Sequence, residues 1–164
     1  MSGRALVVEI TRLEAAHLSG LVAQFADLLR ESTPQDGDPA IARLVPPAYP
    51  DDESAAAEFR ALTAGDLLAR RASDADIVLA SLHDAAQIPD DPDDPTLLEE
   101  VEVHLDPQAS RAWLRTLAAV RLVLASRLGV ADTDDYDHED PRFGIYDWLG
   151  YRLDGLVRAL ESTD

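Results

Sequence analysis

The chain of 164 residues has no cysteine, which rules out disulfides and thiolate-held metals. It has no lysine either. All 14 basic residues are arginine, against 32 acids, and the formal net charge is −18. Such a chain repels phosphate backbones, which are bound by clustered Lys or Arg, so direct nucleic-acid binding is disfavoured. No apolar run reaches about 18 residues, so no membrane-crossing helix is expected. Met1 to Ile10 holds one arginine and a short apolar run that ends at Glu9, with no small-residue cleavage site. It does not read as an export signal, and the expected compartment is the cytoplasm. The GxSxG, GxGxxG, GxxxxGK and HExxH patterns are all missing. No catalytic residue, metal ligand or cofactor is assigned.

What is present reads as one mainly α domain spanning 1–164. About five helices form a bundle, joined by a small two-stranded β ribbon. Ala5 to Ile10 is a β-branched run that reads as a strand. Thr11-Arg12-Leu13-Glu14 fits a capping box, in which the Thr hydroxyl and the Glu carboxylate each satisfy an orphan amide. The helix it opens carries Leu13, His17, Leu21, Phe25 and Leu28 at helical spacing, widened by Leu18, Val22 and Leu29. On that stripe His17 reads as half-buried. Helices are expected from Asp51 or Asp52 to Leu62, and from the cap-like Thr63–Asp66 to about Ala86.

Residues 88–95 read Ile-Pro-Asp-Asp-Pro-Asp-Asp-Pro, an exposed acidic linker. No cation occurs between Arg71 and Arg111, so a stretch of uniformly negative surface is expected. Glu100 to Leu105 alternates charged and apolar residues and reads as a half-buried strand. Asp106-Pro107 is an N-cap with Pro at N1, and Gly129 stands where a helix-ending glycine belongs. The helix between them places Trp113, Leu117, Val120, Leu124 and Leu128 inward. A last helix from Ile145 to Leu160 follows, with Trp148, Leu149, Leu153, Leu156 and Leu160 inward. Two isolated strands cannot satisfy their own amides, so they are expected to pair with each other.

The acidic loop 130–143 contains Asp132, Asp134, Asp135, Asp137, Glu139 and Asp140. No register gives it the Gly and Glu positions of a calcium-binding EF-hand loop. The four histidines, His17, His83, His104 and His138, include no helical metal pair. Arg121 lies in the most apolar helix, where an unpartnered cation is costly; it is read as a structural ion pair, for instance with Asp147, or as a binding residue near Tyr146 and Trp148. Arg127 suits the helix C-terminus. The segment Arg43 to Asp52 is the other candidate surface. Pro46 and Pro47 pre-set its shape, Arg43 and Tyr49 are typical interface anchors, and Asp51 and Asp52 close it.

Two blocks carry a family resemblance. One is Arg43-Leu44-Val45-Pro46-Pro47-Ala48-Tyr49-Pro50-Asp51-Asp52-Glu53, running on through Glu58-Phe59-Arg60. The other is Ala112-Trp113-Leu114-Arg115-Thr116-Leu117, with Arg121-Leu122-Val123-Leu124, Arg127-Leu128-Gly129-Val130 and Tyr146-Asp147-Trp148-Leu149. With the first strand and helix they resemble the actinobacterial domain-of-unknown-function family numbered 2017. The chain departs from that pattern at Ala118-Ala119 and Ala125-Ser126, where the family has Asn-Asp and Gly-Thr. That departure argues further against catalysis. The resemblance implies no established activity; it implies a link to regulated proteolysis, through genes lying beside that of a protease adaptor, and a regulator label for some members. The expectation is a non-catalytic interaction or regulatory domain with a protein partner, homo-oligomerisation being left open. A small-ligand site or enzyme near Arg121, and a transcription-associated regulator, are the alternatives.

Overall fold

The computed structural model describes residues 5–31, 44, 53–129 and 143–162, with 53–65 described by backbone alone. Strands β1 (Leu6–Thr11) and β2 (Glu100–Leu105) pair antiparallel, Leu6 opposite Leu105 and Thr11 opposite Glu100. The expected ribbon is therefore present. Each strand supplies the ladder bonds that the other lacks. The period of two decides what is buried: Leu6, Ile10, Val103 and Leu105 face the core, while Val7, Glu9, Glu102 and His104 face out.

Four helices stand among the described residues: α1 (Arg12–Glu31), α2 (Glu53–Leu82), α3 (Pro107–Leu128) and α4 (Gly144–Ser162). The fold is mainly helical as expected, but the count of five is not matched. The break expected at Thr63–Asp66 does not occur, and α2 runs straight through it. No proline lies between Glu53 and Leu82, and one interior glycine costs only about 1 kcal/mol relative to alanine. The cap-like residues lose to continuity of the helix on either side.

Local rules hold well at α3. Asp106 accepts the Ala109 amide at 2.7 Å, Pro107 opens the helix, and Gly129 closes it in the left-handed conformation at φ 72°. The linker starts as expected, with residues 88–93 irregular and mostly exposed. It ends one residue early: Asp94 accepts the Thr96 amide and Pro95 begins a short 3₁₀ turn, Pro95–Leu98.

The core is one cluster. Leu18, Val22, Phe25 and Leu29 of α1 meet Ala72, Ala75, Val78 and Leu82 of α2, with Trp113, Leu117 and Val120 of α3, and Leu149 and Leu156 of α4. The stripe on α1 is rotated from its expected centre. Ala15, Leu18, Val22, Phe25, Ala26 and Leu29 are buried, Leu13, Leu21 and Leu28 flank them, and His17 is exposed rather than half-buried. Alanines 15 and 26 let neighbouring elements approach that side closely. The cation-free stretch is not uniformly negative either. Arg115 makes a bidentate pair with Asp74, at 2.9 and 3.0 Å, and Arg30 reaches Asp76 at 2.6 Å. These arginines come from α3 and α1, which no reading along the stretch itself reveals.

Helix α4 packs chiefly on α3. Only Tyr146, Leu149 and Leu156 are fully buried on it; Trp148, Leu153 and Leu160 are half-buried.

Two glycines make opposite predictions. Gly20 lies inside α1 with nothing within 4 Å of a built Cβ, whereas Gly129 has positive φ. Gly20→Ala is expected to stabilise the protein by about 0.5–1 kcal/mol. Gly129→Ala is expected to destabilise it by about 1 kcal/mol. Urea unfolding of the two variants checks both signs.

Candidate functional site

The capping box at the corner between β1 and α1 forms as expected. Thr11 Oγ1 accepts the Glu14 amide at 3.1 Å, and Glu14 Oε1 accepts the Thr11 amide at 3.1 Å. The same carboxylate has a second role that local pattern does not show. Its Oε2 accepts Trp148 Nε1 at 2.8 Å and Arg152 Nη2 at 3.1 Å. Arg152 also donates from Nη1 to the Glu9 carbonyl at 2.8 Å, and its guanidinium stands 5.5 Å from the centre of the Trp148 ring. Trp148 and Arg152 are one turn apart on α4, so both reach the corner from one helix face. Glu14 thereby ties β1, α1 and α4 together.

The electrostatics of that junction have a definite sign. Burial on its own would raise the Glu14 pKa. Hydrogen bonds from the Thr11 amide, Trp148, Arg152 and the Thr11 hydroxyl outweigh it and hold the carboxyl at about 2, against an ordinary 4.5.

The ladder register identifies which backbone groups of β1 remain open. Arg12 donates its amide to the Glu99 carbonyl at 3.1 Å, continuing the ladder one step beyond Thr11. Hydrogen-bonded pairs alternate in an antiparallel ladder. Ile10, Val8 and Leu6 therefore bond to β2, and the amides and carbonyls of Val7, Glu9 and Thr11 point to the opposite edge. Two of these outward groups are met by side chains: Glu14 takes the Thr11 amide and Arg152 caps the Glu9 carbonyl. Among the described residues, the Val7 amide, the Val7 carbonyl and the Glu9 amide meet no protein partner.

Those three groups face a groove of about 500 Å³ between β1 and α4. Leu18, Trp113 and Leu117 form its floor, and Tyr151, Gly155 and Leu156 are part of its α4 wall. Tyr151 is 73% exposed. Gly155 has nothing within 4 Å of a built Cβ. Arg158, also on this wall, is paired with Asp154 at 3.0 Å. Trp113 Nε1 and Arg152 Nε are buried without an acceptor. A second, more apolar hollow of about 680 Å³ lies between α1 and the start of α4, lined by His17, Gly20, Leu21 and Ile145 among others.

The candidates read from sequence separate into distinct places. Arg121 and Tyr146 do come together: the guanidinium lies 3.9 Å from the centre of the Tyr146 ring and donates to the Tyr146 carbonyl at 3.3 Å. Gly150 makes room for it, since a Cβ there would lie 3.0 Å from Arg121 Nε. Trp148 is instead committed to Glu14 on α1. Arg127 occupies the last turn of α3, where a cation complements the helix dipole. Arg43, Pro46, Pro47, Tyr49, Asp51 and Asp52 lie outside the described residues, as does the acidic loop except for the buried Phe143. Of the Arg43–Asp52 block only Leu44 is described, and it is buried in the core. Among the described residues, no three His, Cys, Asp or Glu are grouped to hold a metal ion, and no helix is long and apolar enough to cross a membrane. Sequence reasoning missed Arg152 and the groove. The one available signal was Trp148 and Arg152 at helical spacing.

A helical domain carrying a two-stranded antiparallel ribbon is the class these features define. The chain belongs to the family described as domain of unknown function DUF2017, whose model matches residues 1–160. No curated protein and no solved structure matches it.

Glu14→Gln preserves the capping-box geometry and removes the charge. A depressed carboxylate pKa stabilises fully above 4.5, and that contribution fades as pH falls toward about 2. With partial exposure screening the junction, the expected loss at neutral pH is about 1–2 kcal/mol. The difference between wild type and variant is expected to shrink from pH 4.5 down to about 2. Denaturant melts across that range provide the check.

Proposed function

We propose that the chain is a non-catalytic protein-interaction or regulatory domain of the cytoplasm, acting through a protein partner in regulated proteolysis. The observation that carries this reading is the groove between β1 and α4. The arginines that line it are already engaged: Arg152 by Glu14 and the Glu9 carbonyl, Arg158 by Asp154. What it offers a partner is open strand backbone, an apolar floor and the exposed ring of Tyr151. Exposed aromatic rings at a groove rim are typical anchors of protein interfaces. The proteolysis link rests on the family resemblance alone.

The alternative of a small-ligand site at Arg121 has less support. That guanidinium is already covered by the Tyr146 ring and bonded to its carbonyl. Chemistry at a cation so engaged would first have to break both contacts.

Tyr151→Ala separates binding from folding. At 73% exposure the ring adds little to stability, and the melting free energy is expected to change by no more than about 0.5 kcal/mol. Affinity capture from nuclease-treated lysate is expected to recover a stoichiometric protein with the wild type and to lose most of it with the variant. Capture unchanged by the substitution contradicts the assignment of this groove.

A further inference from the structure

We propose that the open edge of β1 is a strand-addition site for an extended peptide that alternates apolar and basic residues. The proposal rests on the interaction reading above and gives it a binding mode. Three observations carry it.

The first is the backbone. The Val7 amide and carbonyl and the Glu9 amide all point away from β2 and into the groove. A peptide residue opposite Val7 can exchange both of its backbone bonds there, and a neighbouring carbonyl can take the Glu9 amide. The edge is usable only over this N-terminal half, because Arg152 and Glu14 occupy the C-terminal half. Three to four residues of strand, ~10–13 Å long, match it.

The second is room. Gly155 stands inside α4, where glycine costs about 1 kcal/mol relative to alanine. The space before it is empty. With no side chain there, α4 does not obstruct the groove of about 500 Å³ at this point. Apolar residues of the incoming strand would face Trp113, Leu117 and Leu156 on the floor and wall.

The third is charge, which sets the sign of the occupant. Glu9 lies directly opposite Glu102 on the exposed face of the ribbon, in a pair without mutual backbone bonds, where side chains come closest. Like charges so placed repel. Glu100 lies two residues before Glu102 on β2, and among the described residues no arginine forms an ion pair with Glu9, Glu100 or Glu102. A lysine or arginine beside Glu9 in a third strand would relieve that repulsion. An acidic peptide would add to it.

The test is titration of ¹⁵N-labelled full-length protein with a short capped peptide of alternating lysine and valine. The expected result is that the Val7 and Glu9 amides shift and become protected from exchange, while Val8 and Ile10 keep their bonds to β2. A peptide with glutamate for lysine is expected to bind roughly tenfold more weakly or not at all. Methylating the backbone amides of the lysines, which are the ones aimed at β1 when their side chains lie beside Glu9, removes the donors to the Val7 carbonyl but keeps the charge, and is expected to weaken binding and with it the protection at Val7. Equal binding of the methylated peptide means simple attraction to an acidic surface and overturns the proposal. Two variants at exposed positions keep the test independent of folding. Gly155→Leu fills the groove and Glu9→Lys reverses the local charge, and each is expected to weaken binding roughly tenfold. If lysate capture yields a Tyr151-dependent partner but β1 stays unperturbed with that partner bound, the interaction reading stands and strand addition is wrong.

Discussion

The carboxylate of Glu14 is the constraint on which the rest of the arrangement depends. One oxygen closes the first turn of α1 against the end of β1, and the other holds Trp148 and Arg152 of α4. Without it, three elements meet at a corner with an unsatisfied strand amide, a half-buried indole donor and a guanidinium lacking its counter-charge. Hydrogen bonds to a charged acceptor are stronger than neutral ones, and here several converge on one group. The low pKa follows from this convergence and from nothing else in the neighbourhood.

The junction also determines which part of β1 stays open. Arg152, steered by Glu14, caps the Glu9 carbonyl and so closes the C-terminal half of the strand edge. The remaining half faces a groove because α4 leans on α3 and makes few contacts with the ribbon. An open strand edge invites unwanted pairing, and proteins usually blunt one with charge or a covering side chain. Here Glu9 and Arg152 restrict the edge without closing it. Restriction in length and in charge is what distinguishes a selective strand acceptor from an aggregation-prone one.

How much of this was legible in the sequence follows from the range of each interaction. The capping box, the Asp106-Pro107 start and the Gly129 stop are set by residues within four positions of one another, and all three were readable. The ribbon was readable from satisfiability: a β-branched run and an alternating segment, far apart in sequence, were two isolated strands that each needed a partner. Continuity of α2 was not, because Thr63–Asp66 has the composition of a cap and only the surrounding helix overrules it. His17 was misjudged because alanines at 15 and 26 turn the buried face of α1 away from it. The second role of Glu14 was hidden by distance, since Trp148 lies 134 residues away in the chain. The Arg121–Tyr146 contact was half visible: the proximity was anticipated, whereas a ring and a carbonyl as partners were not.

Amide hydrogen exchange along β1 of the unliganded protein tests the central claim most directly. The account predicts alternation. Val8 and Ile10, bonded to β2, exchange slowly; Val7 and Glu9 exchange at rates near those of an exposed chain; Thr11, held by Glu14, is again protected. Uniform protection from Val7 to Thr11 would mean that the edge is already covered, and it would contradict both the open groove and the role given to it.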